Sequence, residues 1–166
     1  MPPGRSRPWA AALGTLAVAA FVLALTLPVH GAAAMPATAT PAGQAADTVR
    51  QFLVTAVVDD NPYLACQYLT GSQQRAIARL AAAPSCRDAF TAATPAFAGI
   101  QSAADVHALR IGVRLLGDRA TVSVTGHGAR PTTFVLRRAT PAELNAFQAP
   151  QAPWRIDSGA TAVLGG

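Results

Sequence analysis

Cys66 and Cys86 are the only cysteines of this 166-residue chain, and their chemistry is the clearest that the sequence offers. Both lie in the half of the chain with helical periodicity, behind an N-terminus that has an export pattern. Two such thiols pair in an oxidising compartment. The bond would close a loop of about 20 residues and stabilise the fold by about 3 kcal/mol through chain entropy. The sequence therefore predicts a disulfide between two helices.

A metal site is the alternative use of the same cysteines, together with His107 and His127. Successive members of this set are about 20 residues apart, whereas structural zinc sites use pairs of ligands only a few residues apart. The chain also has no glycine-rich phosphate loop and no Gly-x-Ser-x-Gly elbow. We therefore expect neither a metal nor another cofactor.

The N-terminus has the three parts of a secretory signal. Arg5 and Arg7 supply positive charge, residues 9–27 form an uncharged apolar run, and Ala32-Ala33-Ala34 supplies the small residues of a cleavage site. Removal of residues 1–34 would leave a protein that is secreted or held in the cell envelope. The alternative is an uncleaved anchor in the plasma membrane, because the 19-residue apolar run is almost long enough to span a bilayer.

The charge of the chain does not indicate a nucleic-acid partner. All 13 basic residues are arginine, against 8 acidic residues. Without Arg5 and Arg7 the net charge falls from +5 to +3. A surplus this small on an exported protein argues against nucleic-acid binding.

The rest of the chain divides into a linker, one domain and a tail. Residues 35–44 are mostly Ala, Pro, Thr and Gly, which is typical of a flexible linker. Residues 45–158 are long enough for a single core, and residues 159–166 are interpreted as a frayed tail. The first helix, with Asp47 in its first turn, is indicated by an apolar stripe at helical spacing. That stripe is Val49, Phe52, Leu53, Ala56 and Val57.

Three shorter helices are predicted to follow. Their ranges are 62–69, 73–82 and 85–90. Asn61 is typical of an N-cap before proline, and Ser85 with Asp88 has the spacing of a helix cap. The middle helix should place Ile77 and Leu80 inward. The cysteines then lie on the second and fourth helices.

From Val106 the hydrophobic period changes to that of a strand. Residues 107–115 alternate between apolar and polar, and Gly117-Asp118 has the form of a two-residue hairpin turn. Folding about this turn pairs apolar residues on one face: Ile111 with Val124, Val113 with Val122, and Leu115 with Ala120. Strands at 132–138 and 154–157 complete an antiparallel meander. A capping box at Thr140 and Glu143 predicts a helical turn between them.

Five short stretches together resemble the nuclear transport factor 2-like superfamily, and more narrowly its small exported actinobacterial members with a cysteine pair in the helical half. They are Val49-Arg50-Gln51-Phe52-Leu53, Ala65-Cys66 with Leu69-Thr70, Ser85-Cys86, Gly117-Asp118-Arg119-Ala120-Thr121-Val122, and Trp154-Arg155-Ile156-Asp157. The resemblance implies an α+β fold in which N-terminal helices pack on a curved antiparallel sheet, cone-like, around a pocket. It implies no particular activity, because the superfamily holds isomerases, dehydratases, binding proteins and inert modules.

Enzymes of that superfamily, such as ketosteroid isomerase and scytalone dehydratase, place Asp, His or Tyr inside the cone. The corresponding candidates here are Asp59, Asp60, Tyr63, Tyr68 and His107. Each also suits an ordinary structural role: adjacent carboxylates at a solvated helix end, tyrosines at the edge of a helical layer, and a lone histidine at a strand end. Since no carboxylate is placed by sequence beside His107, no acid–base pair is visible. We assign no catalytic residue.

The resemblance also implies which residues line the pocket. They are Leu109, Ile111, Val113, Leu115, Val122, Val124 and Trp154. Because this lining is apolar, we expect an exported non-catalytic domain that binds a small apolar ligand or an envelope protein, either alone or as a homodimer. The alternative is a small isomerase- or dehydratase-type enzyme that acts in the cone.

The outward positions of the same strands carry a different signal. If the apolar residues point inward, five arginines share the convex face: Arg110, Arg114, Arg119, Arg137 and Arg155. Such a face could contact an anionic envelope polymer or lipid headgroups. Its ordinary explanation is a soluble surface in a proteome that uses arginine in place of lysine.

Overall fold

The computed structural model describes residues 40–97, 99–126 and 131–165, which form an α+β domain. Its helices are α1 (Pro41–Leu53), α2 (Pro62–Gln67), α3 (Gly71–Leu80), α4 (Cys86–Ala92), α5 (Ala103–Ala108) and α6 (Pro141–Leu144). Its strands are β1 (Arg110–Leu116), β2 (Arg119–Thr125), β3 (Thr132–Arg138) and β4 (Trp154–Ser158). None of the described helices is both long and apolar enough to cross a membrane. The predicted export signal and His127 lie outside the described residues.

Helix α1 begins earlier than the sequence predicted. The Thr40 side chain caps it by accepting a hydrogen bond from a backbone N–H of the first turn at 3.1 Å, and Pro41 follows at the first helical position. The residues predicted to be linker, 35–44, therefore include the start of this helix. The sequence predicted Asp47 in the first turn of this helix. It lies instead further along α1, where it accepts a hydrogen bond from Arg50 at 2.9 Å.

The predicted apolar stripe of α1 is buried at the centre of the core except for Val57, which is half-buried against it. Phe52 is fully buried, and its ring packs edge-on against Phe90 of α4 and Phe134 of β3, with centroids 6.3 Å apart in both pairs. Residues Val54–Val58 continue α1 as one π-helical turn that ends at Asp59. One aromatic side chain thus joins the helical layer to the sheet.

The disulfide joins α2 to α4 and confirms the predicted pairing. The Cα atoms of Cys66 and Cys86 are 6.2 Å apart, within the range that a disulfide spans. Asn61 and Ser85 cap the two helices as predicted, each accepting a hydrogen bond from a backbone N–H three residues ahead. The cap fixes where each helix begins, and so places each cysteine.

Helix α3 lies in sequence between the two cysteine-bearing helices. Ile77 is fully buried, as predicted, whereas Leu80 is 61% exposed and the prediction that it faces inward is wrong. Leu80 is the last residue of α3 and borders an open groove beside Ala89 and Leu164. The apolar spacing of α3 therefore extends to Leu80, although the end of the helix no longer packs on the core.

The segment before β1 is a short helix. The sequence had predicted the start of a strand there. Ser102 and Asp105 form a reciprocal capping box that starts α5. Val106 and Leu109 are both buried, and their spacing of three suits a helix. His107 therefore projects from the exposed side of α5 and not from the inner face of a strand.

The sheet has the order β1-β2-β3-β4 and is open. The hairpin register is the predicted one, with Ile111, Val113 and Leu115 opposite Val124, Val122 and Ala120. Gly117 has a φ of 60°, a conformation that the hairpin turn requires and that glycine adopts without strain. The inner face of β2 is fully buried, while β1 is only half-buried at this edge.

Strand β4 is held on both sides. It pairs with β3, with a bulge between Val135 and Leu136. On its other side the Ile156 N–H donates to the Tyr68 carbonyl at 2.9 Å, and the Ile156 carbonyl accepts from the Thr70 N–H at 2.9 Å. The connection between α2 and α3 therefore covers the β4 edge of the sheet.

The C-terminal residues pack on the domain, so the prediction of a frayed tail is wrong. Residues Ala160–Val163 form a turn of 3-10 helix in which Ala160 and Val163 are fully buried. The Val163 carbonyl accepts a hydrogen bond from the Ala96 N–H at 2.9 Å. Gly159 permits this turn, since it has a φ of 94° and a Cβ there would collide with the backbone of Thr133.

We expect the disulfide to stabilise the domain. The double substitution C66S/C86S should lower the free energy of unfolding by about 3 kcal/mol, because the unfolded chain regains the freedom of a loop of about 20 residues. Urea denaturation of the two proteins measures the difference. The unreduced wild-type protein, denatured, should show no free thiol by titration. Two free thiols, or equal stability of the two proteins, would contradict the assignment.

Candidate functional site

The outer face of the sheet carries exposed arginines. Arg110 and Arg114 lie on β1 and Arg119 begins β2. No described carboxylate forms an ion pair with any of the three. The register places Leu116 opposite Arg119, so Arg114 and Arg119 are diagonal neighbours with Cα atoms roughly 7–8 Å apart. Arg110 is four residues before Arg114, about 13 Å along the strand.

Arg137 belongs to this face but is neutralised. Its guanidinium donates to both carboxylate oxygens of Glu143, at 2.9 Å and 2.6 Å. Glu143 is the capping-box residue of α6, and its carboxylate also accepts from the Thr140 N–H at 2.8 Å. The hydrogen bond from Arg137 lowers the pKa of Glu143 to about 2, and in return Glu143 raises the pKa of Arg137.

Arg155 lies on the outer side of the sheet, opposite Arg137, but it is buried there, so the prediction that it shares an exposed face with the other arginines is wrong. Its side chain is 1% exposed and donates to the carbonyls of Ala152 (2.7 Å), Trp154 (2.9 Å), Glu143 (3.0 Å) and Pro150 (3.2 Å). Three of these carbonyls belong to the segment between β3 and β4, which covers this end of the outer face. Burial lowers the pKa of Arg155, but a guanidinium stays charged in a protein.

The residues predicted to line a pocket are packed into the core or lie at its edge. Leu109, Val122, Val124 and Trp154 are members of one buried cluster. Ile111 and Val113 are half-buried against that cluster, and Leu115 is 41% exposed. The Arg138 guanidinium lies 4.2 Å from the centroid of the Trp154 ring, a cation–π distance. These side chains therefore serve the hydrophobic core and its rim.

The acid–base candidates do not form a pair among the described residues. His107 is exposed on α5, and Asp59 and Asp60 are exposed at the end of the π-helical turn. No hydrogen bond or ion pair joins His107 to either carboxylate in the described part of the chain. Asp60 has a φ of 45°, which fits a residue that ends a helical segment.

The two tyrosines have structural contacts. The Tyr63 hydroxyl donates to the backbone carbonyl of Phe147 at 3.1 Å, which connects α2 to the β3–β4 segment. Tyr68 is buried, and burial raises the pKa of its hydroxyl, while nearby Arg155 opposes that shift. Both roles agree with the ordinary structural explanation of these residues.

An open cleft of about 360 Å³ lies beside the disulfide. Its lining is Tyr63, Cys66, Gln67, Gln74, Ser85, Cys86 and Arg87. Local structure already engages several of its polar groups: Gln74 donates to the Cys66 carbonyl at 2.8 Å, and Ser85 donates to Asp88 at 2.6 Å. Within the described ranges, no three His, Cys, Asp or Glu side chains come together as metal ligands.

Leu116 is the residue of the outer face that sequence analysis missed. It is 75% exposed and lies opposite Arg119. The signal was present in the sequence, because two consecutive leucines on a strand must put one on the outer face. The pairing of Arg137 with Glu143 was also missed, although the capping box had located Glu143.

Comparisons of the chain with models of protein families, with curated proteins and with solved structures found no match. The function of the domain must therefore be inferred from the geometry of its outer face. That face divides into a closed end, where Arg137 and Arg155 are paired or buried, and an open part with Arg110, Arg114 and Arg119.

We expect Arg155 to hold the β3–β4 segment in place. The variant Arg155→Met should lower the free energy of unfolding by about 3 kcal/mol or more, because it leaves buried carbonyls without a donor. Arg119→Met is the matched control on the same face, and it should change stability by about 0.5 kcal/mol or less. Urea unfolding provides the comparison. Equal midpoints for the two variants would contradict the role of Arg155.

We also expect the Arg137–Glu143 pair to make stability depend on pH in the acid range. Folding lowers the pKa of Glu143 from 4.5 to about 2, so its contribution is complete above pH 4.5 and is lost as the pH falls towards 2. The difference in unfolding free energy between wild type and Glu143→Gln should therefore shrink as the pH falls through this window. Asp118→Asn, at an exposed carboxylate, is the control. A difference that is constant with pH would refute the assignment.

Proposed function

We propose that this domain is a non-catalytic extracytoplasmic interaction module that binds a negatively charged envelope partner through the outer face of its sheet. The observation that carries the proposal is the set of exposed arginines Arg110, Arg114 and Arg119, none of which is paired with a described carboxylate. Arginine suits this role because its planar guanidinium can form two hydrogen bonds with one phosphate or carboxylate group.

The spacing of these arginines suits a partner with repeated charges. Arg114 and Arg119 are close enough to hold one anionic group between them, with Cα atoms roughly 7–8 Å apart. Arg110 is about 13 Å further along β1 and can contact a second group. Beside them the face carries small exposed side chains, namely Thr121 and Ser123 of β2 and Thr133 of β3, so an extended anion can approach the sheet closely.

The disulfide and the sequence both support an extracytoplasmic compartment. A disulfide between Cys66 and Cys86 is typical of proteins outside the reducing cytoplasm. The predicted secretory signal of residues 1–34 leads to the same compartment. We therefore place the partner in the cell envelope or outside the cell.

We further propose that the domain is a member of the nuclear transport factor 2-like superfamily. Three features support this: N-terminal helices packed against a four-stranded antiparallel meander, Phe52 of α1 packed on Phe134 of β3, and a register shift between β3 and β4 of the kind that accompanies sheet curvature. A small apolar ligand in the cone has less support, because the side chains expected to line it contribute to the core. The isomerase- or dehydratase-type alternative gains no support from the described contacts of His107.

The proposal predicts salt-sensitive binding to a soluble polyanion. Wild-type protein should bind long-chain polyphosphate, and the triple variant R110Q/R114Q/R119Q should lose at least about tenfold in affinity and much of the salt dependence. Isothermal titration at several salt concentrations measures both. The matched control is R75Q/R79Q/R87Q, which removes three exposed arginines from the helical layer.

The control variant has the same net charge as the outer-face variant. It should retain binding within about twofold of wild type if the face, and not the total charge, recognises the anion. Equal losses in the two triple variants would overturn the proposed site. Absence of binding by wild type at low salt would overturn the proposed function.

A further inference from the structure

The tip of the β1–β2 hairpin is apolar on both sides. Leu115 points to the inner face and is 41% exposed, whereas Leu116 points to the outer face and is 75% exposed. A single exposed leucine is ordinary on a protein surface. Two adjacent exposed leucines directly before a hairpin turn are not, because turns and strand ends of soluble domains are usually polar.

The outer side of the same tip carries positive charge. Arg119 lies directly opposite Leu116, and Arg114 is two residues earlier on the same face. The Arg138 N–H donates to the Asp118 carbonyl in the turn at 3.1 Å and so ties β3 to the tip, but its guanidinium lies over Trp154 on the inner side. Arg114 and Arg119 are two positive charges against the single negative charge of Asp118. The tip therefore combines exposed apolar side chains with a positive surplus.

We propose that this hairpin tip docks on an anionic lipid bilayer, with Leu115 and Leu116 in the boundary between headgroups and acyl chains and Arg114 and Arg119 on lipid phosphates. The inference rests on the proposed function and names the anionic partner as a lipid surface. Basic residues give attraction to anionic headgroups, and apolar residues that enter the interface hold the protein there. A soluble polyanion would use the arginines and leave both leucines in water.

The backbone at the tip is suited to such docking. The register of β1 with β2 is continuous from Arg110 to Leu116, and the turn is closed by Gly117 with a φ of 60°. The leucines are therefore carried on a hydrogen-bonded hairpin and need no loop to order when they meet the membrane.

The test measures protection of the hairpin tip and not total binding to vesicles. Binding through the apolar N-terminal segment of the full chain then does not determine the result. Full-length protein is mixed with vesicles of phosphatidylcholine alone or with one-third phosphatidylglycerol. Hydrogen–deuterium exchange is then read by mass spectrometry at residues 114–119. We expect anionic vesicles to slow exchange at the tip severalfold, and neutral vesicles to leave it unchanged.

Two double variants separate the contributions. L115S/L116S and R114Q/R119Q should each abolish the slowing, and each lost arginine should cost about fivefold in affinity for the anionic surface. The controls are Leu80→Ser, an exposed leucine on α3, and R75Q/R79Q, which should retain the slowing. Unchanged melting temperatures show that the variants are folded.

Each remaining outcome decides between the two proposals. If wild type binds polyphosphate but vesicles do not slow exchange at the tip, the lipid inference is wrong and the anion-binding face stands. Slowing that survives L115S/L116S would likewise overturn the insertion of the leucines and leave only electrostatic contact. If neither polyphosphate nor anionic vesicles are bound, both proposals fail together.

Discussion

The buried guanidinium of Arg155 determines which arginines of the sheet remain available for binding. It donates hydrogen bonds to backbone carbonyls of the β3–β4 segment, including that of Glu143 at 3.0 Å. Fixing the backbone of Glu143 places its carboxylate against Arg137, where it accepts two hydrogen bonds. Arg137 is thereby neutralised, and Arg110, Arg114 and Arg119 are left without an acidic partner among the described residues. One buried cation thus divides the face into a closed end and an open part.

This arrangement also resolves a local conflict of charge. The registers place Arg119 opposite Arg137 and Arg137 opposite Arg155, and like charges directly opposite each other destabilise a sheet. Glu143 supplies the missing negative charge in the middle of that row. Arg155 is buried without a carboxylate of its own, so carbonyl dipoles replace its water shell. Removing Arg155 would therefore disturb the stability of the sheet and its surface charge together.

The sequence predicted those parts of the fold that depend on local patterns. The hairpin register followed from strict alternation, and the helix caps at Asn61 and Ser85 followed from residue type and spacing. Helix α5 was missed because it has only six residues and joins directly onto an alternating strand, so the alternation was read as a strand from His107 onward. The burial of Arg155 depends on a segment that returns over the sheet from elsewhere in the chain. No period within β4 could reveal it, since alternation correctly assigned Arg155 to the outer side.

The leucines at the hairpin tip are the strongest support for the proposal that this part of the sheet has a role beyond solubility. Strand β1 is an edge strand, and charged residues such as Arg110 and Arg114 protect an edge against pairing with other chains. That protection explains the arginines without any partner. It does not explain Leu116, because an exposed apolar residue at the end of an edge strand favours the association that the arginines oppose. The two features agree when the partner is an anionic lipid surface, which attracts the arginines and also takes the leucines out of water.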